Sequence, residues 1–136
     1  MNQELKDKRI NDLIRLFTKG QIDQCLSQAK KALNMYPEEP FLFNLLGITH
    51  AAKSLFAEAI NCYEKAISLS PSYFEVFNNM GVAYNDWKKP KKAINALNKA
   101  IELNPGYAEA FNNLGNAQKE LLNFDDAVRS YQKAID

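Results

Sequence analysis

The feature that most constrains this chain is a repeat of 34 residues. Displaced by 34, the sequence superimposes Gly47 on Gly81 and Gly115, Phe43 on Phe77 and Phe111, and Asn44 on Asn78 and Asn112. The same displacement joins Ala59 to Ala93 and Ala127, Ala66 to Ala100 and Ala134, Ile67 to Ile101 and Ile135, and Pro37 to Pro71 and Pro105. Residues 40–73 agree with 74–107 at 12 of 34 positions, against about two for unrelated sequences of average composition. A chain of this kind is an array of one supersecondary unit, each copy burying an apolar face on its neighbour.

Each unit reads as two helices. Phe43, Leu46, Gly47 and His50 recur at i, i+3, i+4 and i+7, one face of a first helix near 41–53. Ala59, Ile60, Tyr63, Ala66, Ile67 and Ser70 define a second helix near 57–70. Pro71 stops it, because proline cannot continue the hydrogen-bond ladder. Glycine at the eighth place and alanine at the twentieth let the two backbones approach, and the three phenylalanines fill the space between successive pairs. The turn place held by Gly20 is held by Ser54, Lys88 and Leu122 in later units. A left-handed residue there would strain each of those three side chains.

The period and the Gly47, Ala59, Ala66, Pro71 pattern, with its two further copies, resemble the tetratricopeptide repeat. The resemblance covers roughly residues 6–136. It implies an all-α fold, a right-handed α-α superhelix of about four helix pairs in a single array over 1–136. Units 40–73 and 74–107 are complete, and 108–136 is truncated within its second helix. Unit 6–39 is an atypical cap: Gly20, Ala32 and Pro37 fit, but Leu13 stands for the glycine and Arg9 for the aromatic. Val128, Tyr131 and Ile135 would face an absent neighbour, whereas solenoids carry polar caps. The expectations are an N-terminal fragment of a longer protein, and self-association through this uncapped helix.

Composition excludes several function classes. Lys and Arg number 17 and Asp and Glu 16, a net charge of +1, unlike the basic face that coats a phosphate backbone. No nucleic-acid partner is expected. The charged start MNQELKDKRI lacks the apolar core of a signal peptide. The longest apolar stretch, from Phe41 to Ile48 and broken by Asn44, is far short of the ~20 residues that span a bilayer. A cytoplasmic chain without a membrane partner is expected. Cys25 and Cys62 are too few for a disulfide framework or zinc site. Cys25 takes the small-residue place of Ala59, and His50 the packing place of Tyr84. The chain has no HExxH, GxSxG or phosphate-cradling glycine loop. No catalytic residue, metal or cofactor is expected, and this segment is not read as an enzyme. Lys88, Lys89, Lys91 and Lys92, around Pro90 and beside Trp87, read as a solvated interhelical turn rather than an anion or nuclear-import patch.

The functional signal lies on the stripe of the first helices opposite their packing face. In tetratricopeptide arrays these helices line a concave groove that binds peptides. Spacing from each glycine assigns to it Phe41, Asn44, Leu45 and Ile48, then Glu75, Asn78, Asn79, Val82 and Asp86, then Glu109, Asn112, Asn113, Asn116 and Glu120. Ile10, Ile14 and Phe17 extend it into the first unit, so its N-terminal half is apolar: either an exposed binding patch or one that the first helix buries itself. Asparagine is a poor helix former, but its amide donates and accepts, which suits holding the backbone of an extended peptide. The clamp that similar arrays use for chaperone carboxylates needs Lys or Arg where this chain has Asn44, Ile48, Asn79, Glu109 and Asn113. FNNMG and FNNLGNA instead resemble the array of O-linked N-acetylglucosamine transferases, with Asn79 and Asn113 at its asparagine rungs. NDLIRLFTKGQ resembles bacterial arrays that precede a sulfotransferase or glycosyltransferase domain. Two functions follow: a protein-interaction module holding an extended peptide, or the recognition arm of a transferase whose catalytic domain lies after residue 136.

Overall fold

The computed structural model describes residues 2–136, which form helices and, among the described residues, no strand. They divide into two compact units, one ending at Leu69 and the other beginning at Ser70. The first contains α1 (Asn2–Thr18), α2 (Ile22–Met35), α3 (Pro40–Ala52) and α4 (Phe56–Leu69). The second contains α5 (Phe74–Asp86), α6 (Pro90–Leu103), α7 (Ala108–Glu120) and α8 (Phe124–Ile135). No helix of the described residues is long and apolar enough to cross a membrane.

Pairing within each repeat follows from the small residues. A Cβ on Gly47 would run into the ring of Tyr63, and one on Gly81 into the Cγ and Cδ2 atoms of Leu97. A Cβ on Gly115 would lie 2.6 Å from Cε1 of Tyr131, inside any van der Waals contact. The first repeat reverses the sizes. Leu13 stands where the glycines stand, and Ala29 stands where the repeat elsewhere has Tyr63, Leu97 and Tyr131. Both are buried in one cluster with Cys25, Ala32, Leu42, Leu45 and Leu46. In the second unit the corresponding core is Ala93, Leu97, Ala100, Ala110, Leu114 and Ala117, with Phe77 packed on it. Within that unit α5 pairs with α6 and α7 with α8, while α7 also packs on α6 and α5.

The four first helices end alike. Gly20, Ser54, Lys88 and Leu122 have φ of 77°, 60°, 62° and 63°. Each end closes with two backbone bonds, such as Ser54 N–H to Ala51 O at 2.9 Å and Leu55 N–H to His50 O at 2.9 Å. This is the Schellman arrangement, whose left-handed residue is usually glycine. α2, α4 and α6 stop differently, against Pro37, Pro71 and Pro105 that follow them. Leu122 is 72% exposed, so it loses little packing on truncation. Leu122→Gly should therefore stabilise the chain by about 0.5–1 kcal/mol, relief of left-handed strain less glycine's larger entropy loss; a lower melting temperature would contradict this. Gly81→Leu should cost about 1–3 kcal/mol by overpacking. Gly106→Ala, with no atom within 4 Å of its Cβ, should leave thermal melting nearly unchanged.

Candidate peptide-binding face

In the second unit the stripe repeats on two neighbouring helices. Glu75, Asn79, Val82 and Asp86 on α5 correspond to Glu109, Asn113, Asn116 and Glu120 on α7. Spacings of i, i+4, i+7 and i+11 keep each set within about 60° on one helix face. Glu75, Asp86, Glu109, Asn112 and Glu120 are exposed, Val82 is 37% exposed, and Asn79, Asn113 and Asn116 are half-buried.

Asn78 departs from the expected stripe. It is fully buried, because its position, 100° round the helix from Asn79, turns it towards α7. Its Nδ2 donates to Glu109 Oε1 at 3.3 Å, and its Oδ1 accepts from Asn113 Nδ2 at 2.9 Å. Tyr107 completes the network, its hydroxyl donating to Glu109 Oε2 at 3.3 Å. Burial, then the Glu109 carboxylate, pushes the Tyr107 pKa up to about 12, so it stays a donor at neutral pH. The polarity runs one way, from Asn113 through Asn78 to Glu109. The Asn113 carbonyl oxygen is not used in it. Further along α7, Asn116 Oδ1 accepts from the Tyr131 hydroxyl at 2.6 Å. Tyr131 thus packs on Gly115 inside its own helix pair and, contrary to expectation, does not join the exposed Val128 and Ile135 in facing outward. Tyr107 and Tyr131 lie outside the first helices, and spacing along those helices alone could not have found them.

The first unit is apolar on the same stripe and largely closed. Asn44 and Leu45 are buried rather than presented, Leu45 within the core cluster. Ile10, Phe17 and Phe41 pack against that cluster, while Ile48 is half-buried and Ile14 is 39% exposed. The atypical first helix therefore buries most of the apolar half itself. That leaves the second unit with the larger polar, accessible face.

Other chemistry-bearing residues occupy packing roles. Cys25 is fully buried, its thiol pushed up in pKa by burial and donating to Leu13 O at 3.6 Å. A thiol held protonated in this way is a poor nucleophile. The basic turn is built around aromatic rings. Trp87 stacks on Tyr84 with centroids 6.4 Å apart and planes 7° from parallel. Lys89 Nζ sits 3.6 Å over Trp87, and Lys92 Nζ lies 5.8 Å from the Tyr84 centroid. These contacts offset the repulsion of lysines gathered near the start of α6. Among the described residues no group of three or more His, Cys, Asp or Glu is placed to hold a metal ion.

Models of the tetratricopeptide repeat match residues 74–107 and 108–136, and a TPR repeat model matches 55–86. Together these cover more than half of the chain. It belongs to the tetratricopeptide repeat family. A crystal structure of MamA superimposes with a TM-score of 0.85 at 22% identity, covering 96% of this chain and 76% of that one. MamA from residue 41 to its end, from Desulfovibrio magneticus RS-1, gives 0.84 at 18% identity, with 96% and 73% covered. Similarity at this level speaks to the fold. No curated protein matches in sequence. Nothing in these comparisons ties the chain to a transferase.

His50 provides a pH readout of packing in the first unit. Partial burial, then Lys30 and Lys53, hold its pKa below the ordinary value of 6.5, with Glu58 opposing them. Its Nδ1 is buried without a hydrogen-bond partner. The unfolded chain then binds the proton more readily than the folded one. Stability is present above pH 6.5 and is lost as pH falls through that value towards the folded pKa. His50→Gln, the residue at the matching place 118, should flatten the melting temperature between pH 7 and pH 5; an equally steep fall would contradict the assignment.

Proposed function

We propose that the chain is a protein-interaction module, and that α5 and α7 hold an extended segment of a partner chiefly by its backbone. The supporting observation is the directed network at Asn113. With one amide N–H engaged by Asn78, the carboxamide is fixed in orientation and its carbonyl oxygen remains an acceptor for a peptide N–H. Asn79 on α5 is its counterpart one repeat earlier, and Asn112 and Asn116 add polar groups on the same side of α7. Two helices presenting amides at a repeat's spacing suit an extended backbone, whose N–H and C=O groups also recur at fixed spacing. Helix propensity offers no reason for asparagine at these places. No catalytic step is assigned to this face.

The proposal is tested with short peptides of alternating Ser and Gln, titrated into the isotope-labelled chain. Asn79→Ala with Asn113→Ala should weaken binding about ten-fold, the worth of one or two hydrogen bonds. Backbone N-methylation of the peptide should weaken it similarly, a readout independent of any change in the protein's own stability. Binding that neither change affects would overturn the proposal.

A further inference from the structure

We infer that the segment recognised by α5 and α7 is basic, an inference that rests on the reading above and adds the partner's chemistry. The stripe is bounded by carboxylates at both ends of both helices. Glu75 and Asp86 stand on α5, and Glu109 and Glu120 at the matching places on α7, all exposed. Eleven residues separate the two acids of each helix, about 16 Å at 1.5 Å per residue. The amides and Val82 lie between them, so two acidic rows flank a neutral centre. An extended chain crossing both helices along that centre would point alternate side chains towards one row and the other.

The cations of this unit lie elsewhere. Lys119 is the one basic residue of α5 and α7, and it sits about 80–100° around the helix from Glu109 and Glu120. Arg129, paired with Asp126, and Lys133, 5.7 Å from the Phe111 ring centroid, belong to α8. Lys88, Lys89, Lys91, Lys92 and Lys99 belong to α6 and the turn before it. Of these, Lys89 and Lys92 lie over the rings of Trp87 and Tyr84, and Lys99 pairs with Glu102 at 3.4 Å. The unit is therefore acidic on its first-helix stripe and basic on α6, although the whole chain is near neutral. The corresponding places on α3, Phe41 and Ala52, carry no charge, and on α1 the first is Asp7 but the second is Thr18. Acids at both ends of the stripe therefore occur on α5 and α7 and not in every repeat.

Glu109 has a second task, since it accepts from both Asn78 and Tyr107. It is nevertheless exposed to solvent, and Glu75, Asp86 and Glu120 stand beside the same stripe. A lysine or arginine of the partner reaching any of the four gains an exposed ion pair, small singly and additive over several. Such pairs favour a basic partner and disfavour an acidic one by like-charge repulsion.

Three labelled peptides of equal length test this, with Ser at alternate places and Lys, Gln or Glu between. At low salt the Ser/Lys peptide should bind about ten-fold more tightly than Ser/Gln, and Ser/Glu more weakly than either. Salt should erode the preference, because exposed charges are screened. Asp86→Asn with Glu120→Gln, which leaves the Asn78 network intact, should weaken Ser/Lys binding about three- to ten-fold. Lys91→Gln on α6 should leave the order of the three peptides as it was. Equal binding of all three, or tighter binding of Ser/Glu, would overturn the inference; if Asn79→Ala with Asn113→Ala still weakened them, the backbone-binding proposal would stand alone. A Ser/Lys preference that Asp86→Asn with Glu120→Gln does not reduce would place recognition elsewhere and overturn it. Absence of Ser/Lys binding at millimolar peptide would contradict both.

Discussion

The close approach of paired helices is the contact on which the rest of the structure depends. In three repeats it is a glycine against a large side chain: Gly47 with Tyr63, Gly81 with Leu97 and Gly115 with Tyr131. In the first repeat the partners exchange sizes, and Leu13 and Ala29 occupy the two places. What the repeat preserves is the summed volume between backbones, as close packing requires, rather than one residue type. With each first helix seated on its second, α5 and α7 of the second unit lie side by side and present the same stripe to the same side. The Schellman closures after each first helix fix where the chain turns into the second.

On that scaffold the polar groups are ordered in depth. Asn78 is fully buried and satisfied by Glu109 and Asn113, so the outermost amide inherits an orientation from the buried one. A buried asparagine without those partners would cost more than the bonds return. The arrangement therefore stabilises the α5–α7 contact and presets Asn113 together. Charge is sorted laterally, with carboxylates on the first helices and lysines on α6, where Tyr84 and Trp87 carry part of the load.

Much of the fold was legible because a 34-residue period records pairing and packing at once. Glycine and alanine marked the close contacts, and proline the ends of the second helices. The left-handed turns were signalled by Gly20 alone; Ser54, Lys88 and Leu122 adopt the same φ without any propensity for it, because the Schellman bonds impose it. The stripe was legible in outline but not in depth. Asn78 and Asn79 are adjacent in sequence, and only the direction of α7 decides which is buried. Leu45 and Asn79 occupy the same place in successive repeats, yet Leu45 joins a core with residues of α1 and α2. Tyr107 was not legible because it reaches the stripe from outside the first helices, and Tyr131, expected to face a further repeat, instead turns back onto Gly115 and Asn116.

Recognition by α5 and α7 is tested most directly by where a bound segment touches the protein. Titrating the isotope-labelled chain with the Ser/Lys peptide and following side-chain amide resonances tests this in one experiment. Asn79, Asn112, Asn113 and Asn116 should shift together and saturate at one peptide concentration, while the backbone of Lys88 to Lys92 stays still. Shifts confined to that turn or to α8, with the four asparagines unmoved, would contradict the account.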